Sequence, residues 1–125
     1  MSSDSLIYLI AAETAERDSL AKYFEKHEFN CLAFDGLQAG QDAIAGNPPK
    51  LIVLAGSNLP SPDICAFGAN VETLCAAPII VLLTKLQMSI VSEMAESENL
   101  WTAEYPISLR EIRASVVEAL EELGA

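Results

Sequence analysis

The chain has 125 residues, 51% of them hydrophobic, and its 18 acids against 7 bases leave a net charge of −11. That is the size of one domain with enough apolar residues to fill a core, and no apolar run approaches the roughly 18 residues of a membrane span. The charge argues against nucleic acid and anionic membranes, whose phosphates must be met by Lys and Arg; it permits a basic protein partner, or serves solubility alone.

Short apolar runs alternate with longer amphipathic stretches. Leu6–Ala12 reads as a first strand. Thr14–His27 reads as a helix, with Leu20, Tyr23, Phe24 and His27 spaced along one face and the acids Glu16 and Asp18 near its start. His27 ends that helix, where a polar ring faces the last carbonyls. Cys31–Phe34 is a short strand, Asp35-Gly36 a turn, and a short helix runs to Ala45, where Gly46-Asn47-Pro48-Pro49 stops it. Leu51–Ala55 is a wholly apolar third strand. Pro60-Ser61-Pro62-Asp63 starts the next helix, with Asp63 expected as its N-cap and Phe67, Val71 and Leu74 on its inner face. Pro78 opens a fourth strand, Ile79–Leu83. A helix over Met88–Ser97 is expected to carry Ile90 and Met94 inward. Leu100–Tyr105 is the fifth strand. Ser108 caps the last helix, with Glu111 completing a capping box and Ile112, Val116 and Leu120 on the apolar stripe.

Strands that are apolar on both faces belong to a parallel sheet covered by helices on both sides. Five strand–helix units joined by right-handed crossovers predict a (βα)5 α/β domain over 1–125, with strand order 2-1-3-4-5. The three cysteines, Cys31, Cys65 and Cys75, are odd in number and lack C-x-x-C spacing, so neither a disulfide framework nor a zinc site is expected. They read instead as small buried residues, Cys31 on a strand and the other two on one helix. The first residues, Met-Ser-Ser-Asp-Ser, carry no base and make a poor signal peptide, which predicts a cytoplasmic chain.

In such sheets ligands bind beyond the carboxyl ends of the strands, where strand order reverses. The loop after the first strand, Ala11-Ala12-Glu13-Thr14, has neither a dinucleotide fingerprint nor a phosphate-binding loop motif. The loop after the third is Ala55-Gly56-Ser57-Asn58-Leu59-Pro60. With one histidine and no nucleophile elbow, no Ser-His-Asp or Cys-His constellation can be built.

Ile7 to Glu13, Pro49 to Leu54, Asn58-Leu59-Pro60 with Asp63, Pro78 to Leu82, and Tyr105-Pro106-Ile107-Ser108 together resemble the receiver domain of bacterial response regulators. The resemblance covers nearly the whole chain and implies a flavodoxin/receiver-like fold and a role in two-component signalling and phosphorelay. It also implies a degenerate site. The family's two metal-binding acids fall on Ala11 and Ala12, and its phospho-accepting Asp on Ala55 or Gly56. Its switch Thr or Ser falls on Leu83, one residue before Thr84, and its Lys on Tyr105. A magnesium ion needs oxygen ligands, and alanine side chains offer none. The expectation is therefore a pseudo-receiver, not an enzyme, with no cofactor and no metal, acting through protein contacts.

The resemblance places the partner surface on the face of the fourth helix, fifth strand and fifth helix. Met94, Trp101, Glu104, Tyr105 and Ile107 are the candidate contacts, for a kinase, another regulator, an output domain or a second copy. Trp101 reads equally as core or as interface anchor, and Tyr105 as a cover over the pocket mouth or a partner contact. A cis bond before Pro106 is implied by the same resemblance. Glu13 reads as a helix N-terminal acid. Two alternatives stay open: a switch driven by a small ligand or by phosphorylation at Ser57 or Thr84, and a flavodoxin-like cofactor binder.

Overall fold

The computed structural model describes residues 6–124; the first five residues, on which the leader argument rests, lie outside the described residues. Ten elements alternate along the chain: β1 (Leu6–Ile10), α1 (Thr14–Lys26), β2 (Asn30–Phe34), α2 (Leu37–Ile44), β3 (Leu51–Ala55), α3 (Ser61–Leu74), β4 (Ile79–Leu83), α4 (Lys85–Met94), β5 (Leu100–Glu104) and α5 (Leu109–Gly124). All strand pairs are parallel, in the order β2-β1-β3-β4-β5.

Successive side chains of a strand point to opposite faces, so each apolar strand feeds two cores. Tyr8, Ile10, Ile52, Leu54, Ile79, Val81 and Leu83 pack beneath α2, α3 and α4, with Phe67, Val71 and Val91. Ile7, Leu9, Leu51, Val53, Ile80 and Leu82 pack beneath α1 and α5, with Phe24, Ile112 and Val116. β3 and β4 are buried along their whole length, whereas the edge strands β2 and β5 are half-buried.

Two local features tie α2 to the sheet. The Tyr8 hydroxyl, deep in the core, donates to the carbonyl oxygens of Ala43 (3.2 Å) and Asn47 at the end of α2. Gly40 faces Ile10 so closely that a Cβ would stand 2.6 Å from its Cδ1. Any side chain there would force Ile10 to shift for the helix to keep this approach to β1.

Several expectations are corrected. β1 ends at Ile10, which leaves Ala11 and Ala12 in the following loop. α4 starts at Lys85, where Thr84 caps it and Gln87 completes a capping box, and it ends at Met94. Its packed face also differs from the expectation: Val91 is buried with Met88 and Ala95 against the core, while Ile90 and Met94 lie on the outside. Leu74 is likewise exposed, and Ile64, Phe67, Gly68 and Val71 form the inner face of α3. Asp63 is a first-turn acid rather than the cap, because Pro60 holds the capping position ahead of Ser61 and Pro62. The cysteines are free but half-buried rather than buried, and Cys75 stands just past the end of α3.

Other features match. Ser108 and Glu111 form the reciprocal capping box. The Tyr105–Pro106 peptide bond is cis. His27 sits at the C-cap of α1, where the Arg113 guanidinium lies 3.1 Å from its Nδ1 and joins α1 to α5. Burial first, then the cations of Arg113 and Lys26, hold the imidazole below its ordinary pKa.

Candidate functional site

The carboxyl ends of β1, β3, β4 and β5 form one rim of the sheet, and the order reverses between β1 and β3. The chain brings Ala11, Ala55, Gly56 and Leu83 together there. Ala11 and Leu83 are inaccessible to solvent, Ala55 nearly so, and Gly56 is buried, while Ala12 faces out. A Cβ on Gly56 would meet Leu83 at 2.9 Å, Ile64 at 3.1 Å and Val81 at 3.3 Å. The floor of the rim is thus closed by hydrocarbon. Its backbone groups remain paired across strands: Ala11 N–H donates to the Phe34 carbonyl and Gly56 N–H to that of Leu82.

Three side chains cover this floor. Arg17, one turn into α1, folds back and donates to the Ala11 carbonyl at 2.9 Å and to that of Ala12 at 3.4 Å. Tyr105 reaches from the end of β5 to α1, where its hydroxyl donates to Glu16 Oε2 at 2.7 Å. Burial and then the Glu16 carboxylate push the phenol well above its ordinary pKa, with the nearby Ser57 hydroxyl pulling the other way. Tyr105→Phe is expected to cost about 1–2 kcal/mol through loss of this charge-assisted bond. Urea unfolding of the variant beside Glu16→Gln and the double variant checks it; additive losses would mean the pair does not interact.

Gln87 is the third. Its Oε1 accepts from Thr84 N–H at 2.9 Å, while its Nε2 donates to the carbonyls of Gly56 (2.8 Å) and Leu59 (3.0 Å). One carboxamide therefore ties the loop after β3 to the start of α4. Thr84 is exposed but spends its hydroxyl on the Gln87 N–H, and Ser57 is half-buried beside Tyr105.

The residues at this rim do not fit a magnesium ion. The side chains at Ala11, Ala12, Ala55 and Gly56 hold no oxygen, the Ala11 carbonyl already accepts from a guanidinium, and the Glu16 carboxylate is held by Tyr105. Among the described residues no group of three or more His, Cys, Asp or Glu stands close enough to hold a metal ion. None of the helices among them is long and apolar enough to cross a membrane.

The predicted partner residues all keep some exposure and lie on α4, on the edge strand β5 and in the segment after it. Trp101, Tyr105 and Ile107 pack against the core beneath α1 and α5, each still half exposed. Glu104 is exposed at the end of β5. Met94 lies on the opposite side of the sheet, beside α3. Sequence reasoning missed Glu16, Arg17 and Gln87 as parts of the rim. Only Gln87 carried a signal, as the fourth residue of the capping pattern Thr84-x-x-Gln87.

The parallel sheet and its strand order define a doubly wound α/β protein of the flavodoxin-like kind. Within that class the chain has the fold of response regulator receiver domains. It superposes on a structure reported as a transiently phosphorylated "switch" in bacterial signal transduction (TM-score 0.79, 14% identity, 98% of each chain). It also superposes on a CheY-like receiver domain protein from Methanospirillum hungatei (TM-score 0.72, 17% identity, 94% of each chain). A third match is a CheY-like receiver domain from Methylobacillus flagellatus (TM-score 0.73, 12% identity, 92% of this chain and 98% of that one). No protein-family model and no curated protein sequence matches the chain.

Proposed function

We propose that this chain is a signalling interaction module on a receiver scaffold whose contacts with protein partners do not depend on aspartyl phosphorylation, and that it is not an enzyme. The observation that carries this reading is the rim itself. Where a phosphoryl group and its metal would need carboxylates, the floor is hydrocarbon, and Arg17 holds the β1 loop by its carbonyls. No carboxylate on that floor could hold the metal that a transferring phosphoryl group needs, and the Arg17 guanidinium is already spent on the Ala11 and Ala12 carbonyls. The Gln87 and Tyr105 contacts support the same reading, since they hold the loops after β3, β4 and β5 in one arrangement without an added group. A net charge of −11 favours a protein partner with basic character over nucleic acid or an anionic membrane.

The test is exposure of the full chain to acetyl phosphate with magnesium, and separately to beryllofluoride, followed by intact-mass measurement and amide chemical shifts. The expected result is no phosphate adduct and unchanged amides at Ala11, Gly56 and Leu83. A hydroxylamine-labile phosphate on an aspartate would overturn the proposal.

A further inference from the structure

The exposed apolar side chains are not spread evenly. Among the described residues six large hydrophobics are exposed, and three of them, Leu86 (72%), Ile90 (38%) and Met94 (42%), share α4. They recur every fourth residue, so they form one stripe along a flank of the helix. The other three, Leu32, Leu74 and Val117, lie singly on β2, α3 and α5.

The stripe has a direction. Met94 lines a groove of about 290 Å³ whose opposite wall is Pro62, Cys65, Ala66 and Ala69 of α3, and Glu96 lines it as well. Ile90 and Leu86 continue that flank one and two turns back. The α3 wall is built mostly from small side chains and Met94 faces it from α4, which leaves a trough between the two helices at that end. That is the shape into which an amphipathic helix lays its apolar face.

Charge decides between occupants. α3 and α4 together contain one base, Lys85, against Asp63, Glu72 and Glu93, with Glu96 following at the groove's end. Lys85 lies across α4 from the stripe, since it is one residue before Leu86 and residues three or four apart share a face. A second copy of this chain would bring the same acids and a charge of −11 against this surface, which like-charge repulsion opposes.

We infer that the α3–α4 groove docks an amphipathic helix of a partner protein, one with Lys or Arg flanking an apolar stripe. This rests on the reading of the chain as an interaction module. It puts the contact on the α3 side of α4, away from the β5–α5 face.

The test uses the full chain, isotopically labelled, and a synthetic helical peptide with Leu at alternating three- and four-residue spacing and Lys on its flanks. The same peptide with Glu in place of Lys is the control, at near-physiological salt. The Lys peptide is expected to shift the amides of Ala66, Ala69, Ile90 and Met94, and the Glu peptide to leave them in place. Ile90→Ser combined with Met94→Ser should weaken binding roughly tenfold or more. Leu86→Ser, at the most exposed position, should weaken it without changing the melting curve.

Shifts centred on α5, equal binding of the two peptides, or full affinity in the variants would overturn the inference. Self-association of the wild type that the variants abolish would also overturn it, in favour of a second copy. Groove binding that appears only with beryllofluoride would support the groove and overturn phosphorylation independence instead, so the two failures are distinct.

Discussion

Gly56→Asp is expected to lower folding stability by about 3–5 kcal/mol near neutral pH, because it buries an unpaired carboxylate. The three nearest atoms to the new Cβ are carbons of Leu83, Ile64 and Val81. Gly56→Ala separates size from charge. Its Cβ meets the ends of flexible side chains, which yield, so about 1–2 kcal/mol is expected for overpacking. The pH dependence carries a sign. Burial raises the folded-state pKa of the introduced Asp above its unfolded value, so the penalty is full above the folded pKa. It shrinks as pH falls below the folded pKa and is gone below the unfolded value of about 3.9, where both states are protonated. Urea unfolding of both variants across that range measures it. If the two are equally stable at neutral pH, the carboxylate has reached water or a cation, and the rim is not the closed floor described above. Introducing the acid alone is also expected to give no phosphate transfer, because the Ala11 and Ala12 side chains supply no metal ligands.

Gln87→Ala should cost about 2–3 kcal/mol, the sum of an N-terminal cap interaction and two donors to buried or half-buried carbonyls. Gln87→Glu distinguishes these parts. Glutamate is a good partner for Thr84 in the capping box, but it cannot donate to the Gly56 and Leu59 carbonyls and sets an oxygen against them. The expected outcome is that Gln87→Glu is no more stable than Gln87→Ala, and that amide exchange quickens over residues 56–60 in both. A Gln87→Glu variant as stable as the wild type would mean that the bridge between the two loops contributes nothing.

The fold was largely legible because strand and helix periods are local. The runs at Leu51 and Ile79 are apolar on both faces, and that pattern requires a sheet covered on both sides. The facing of α4 was not legible. Met88, Val91 and Ala95 make one helical stripe and Leu86, Ile90 and Met94 another, and hydrophobicity alone does not rank them. The Thr84 cap and the packing of α4 beside α3 select the first.

By itself the sequence determined the alternation of elements, the parallel sheet and the lack of side-chain oxygen at Ala11, Ala12, Ala55 and Gly56, since each depends on residue type and short spacing. Only the tertiary structure decided what covers that gap. Tyr105 meets Glu16 across 89 residues of chain, and Gln87 reaches Gly56 across 31. Such pairings follow from where the crossovers place loop ends, and no local period encodes them.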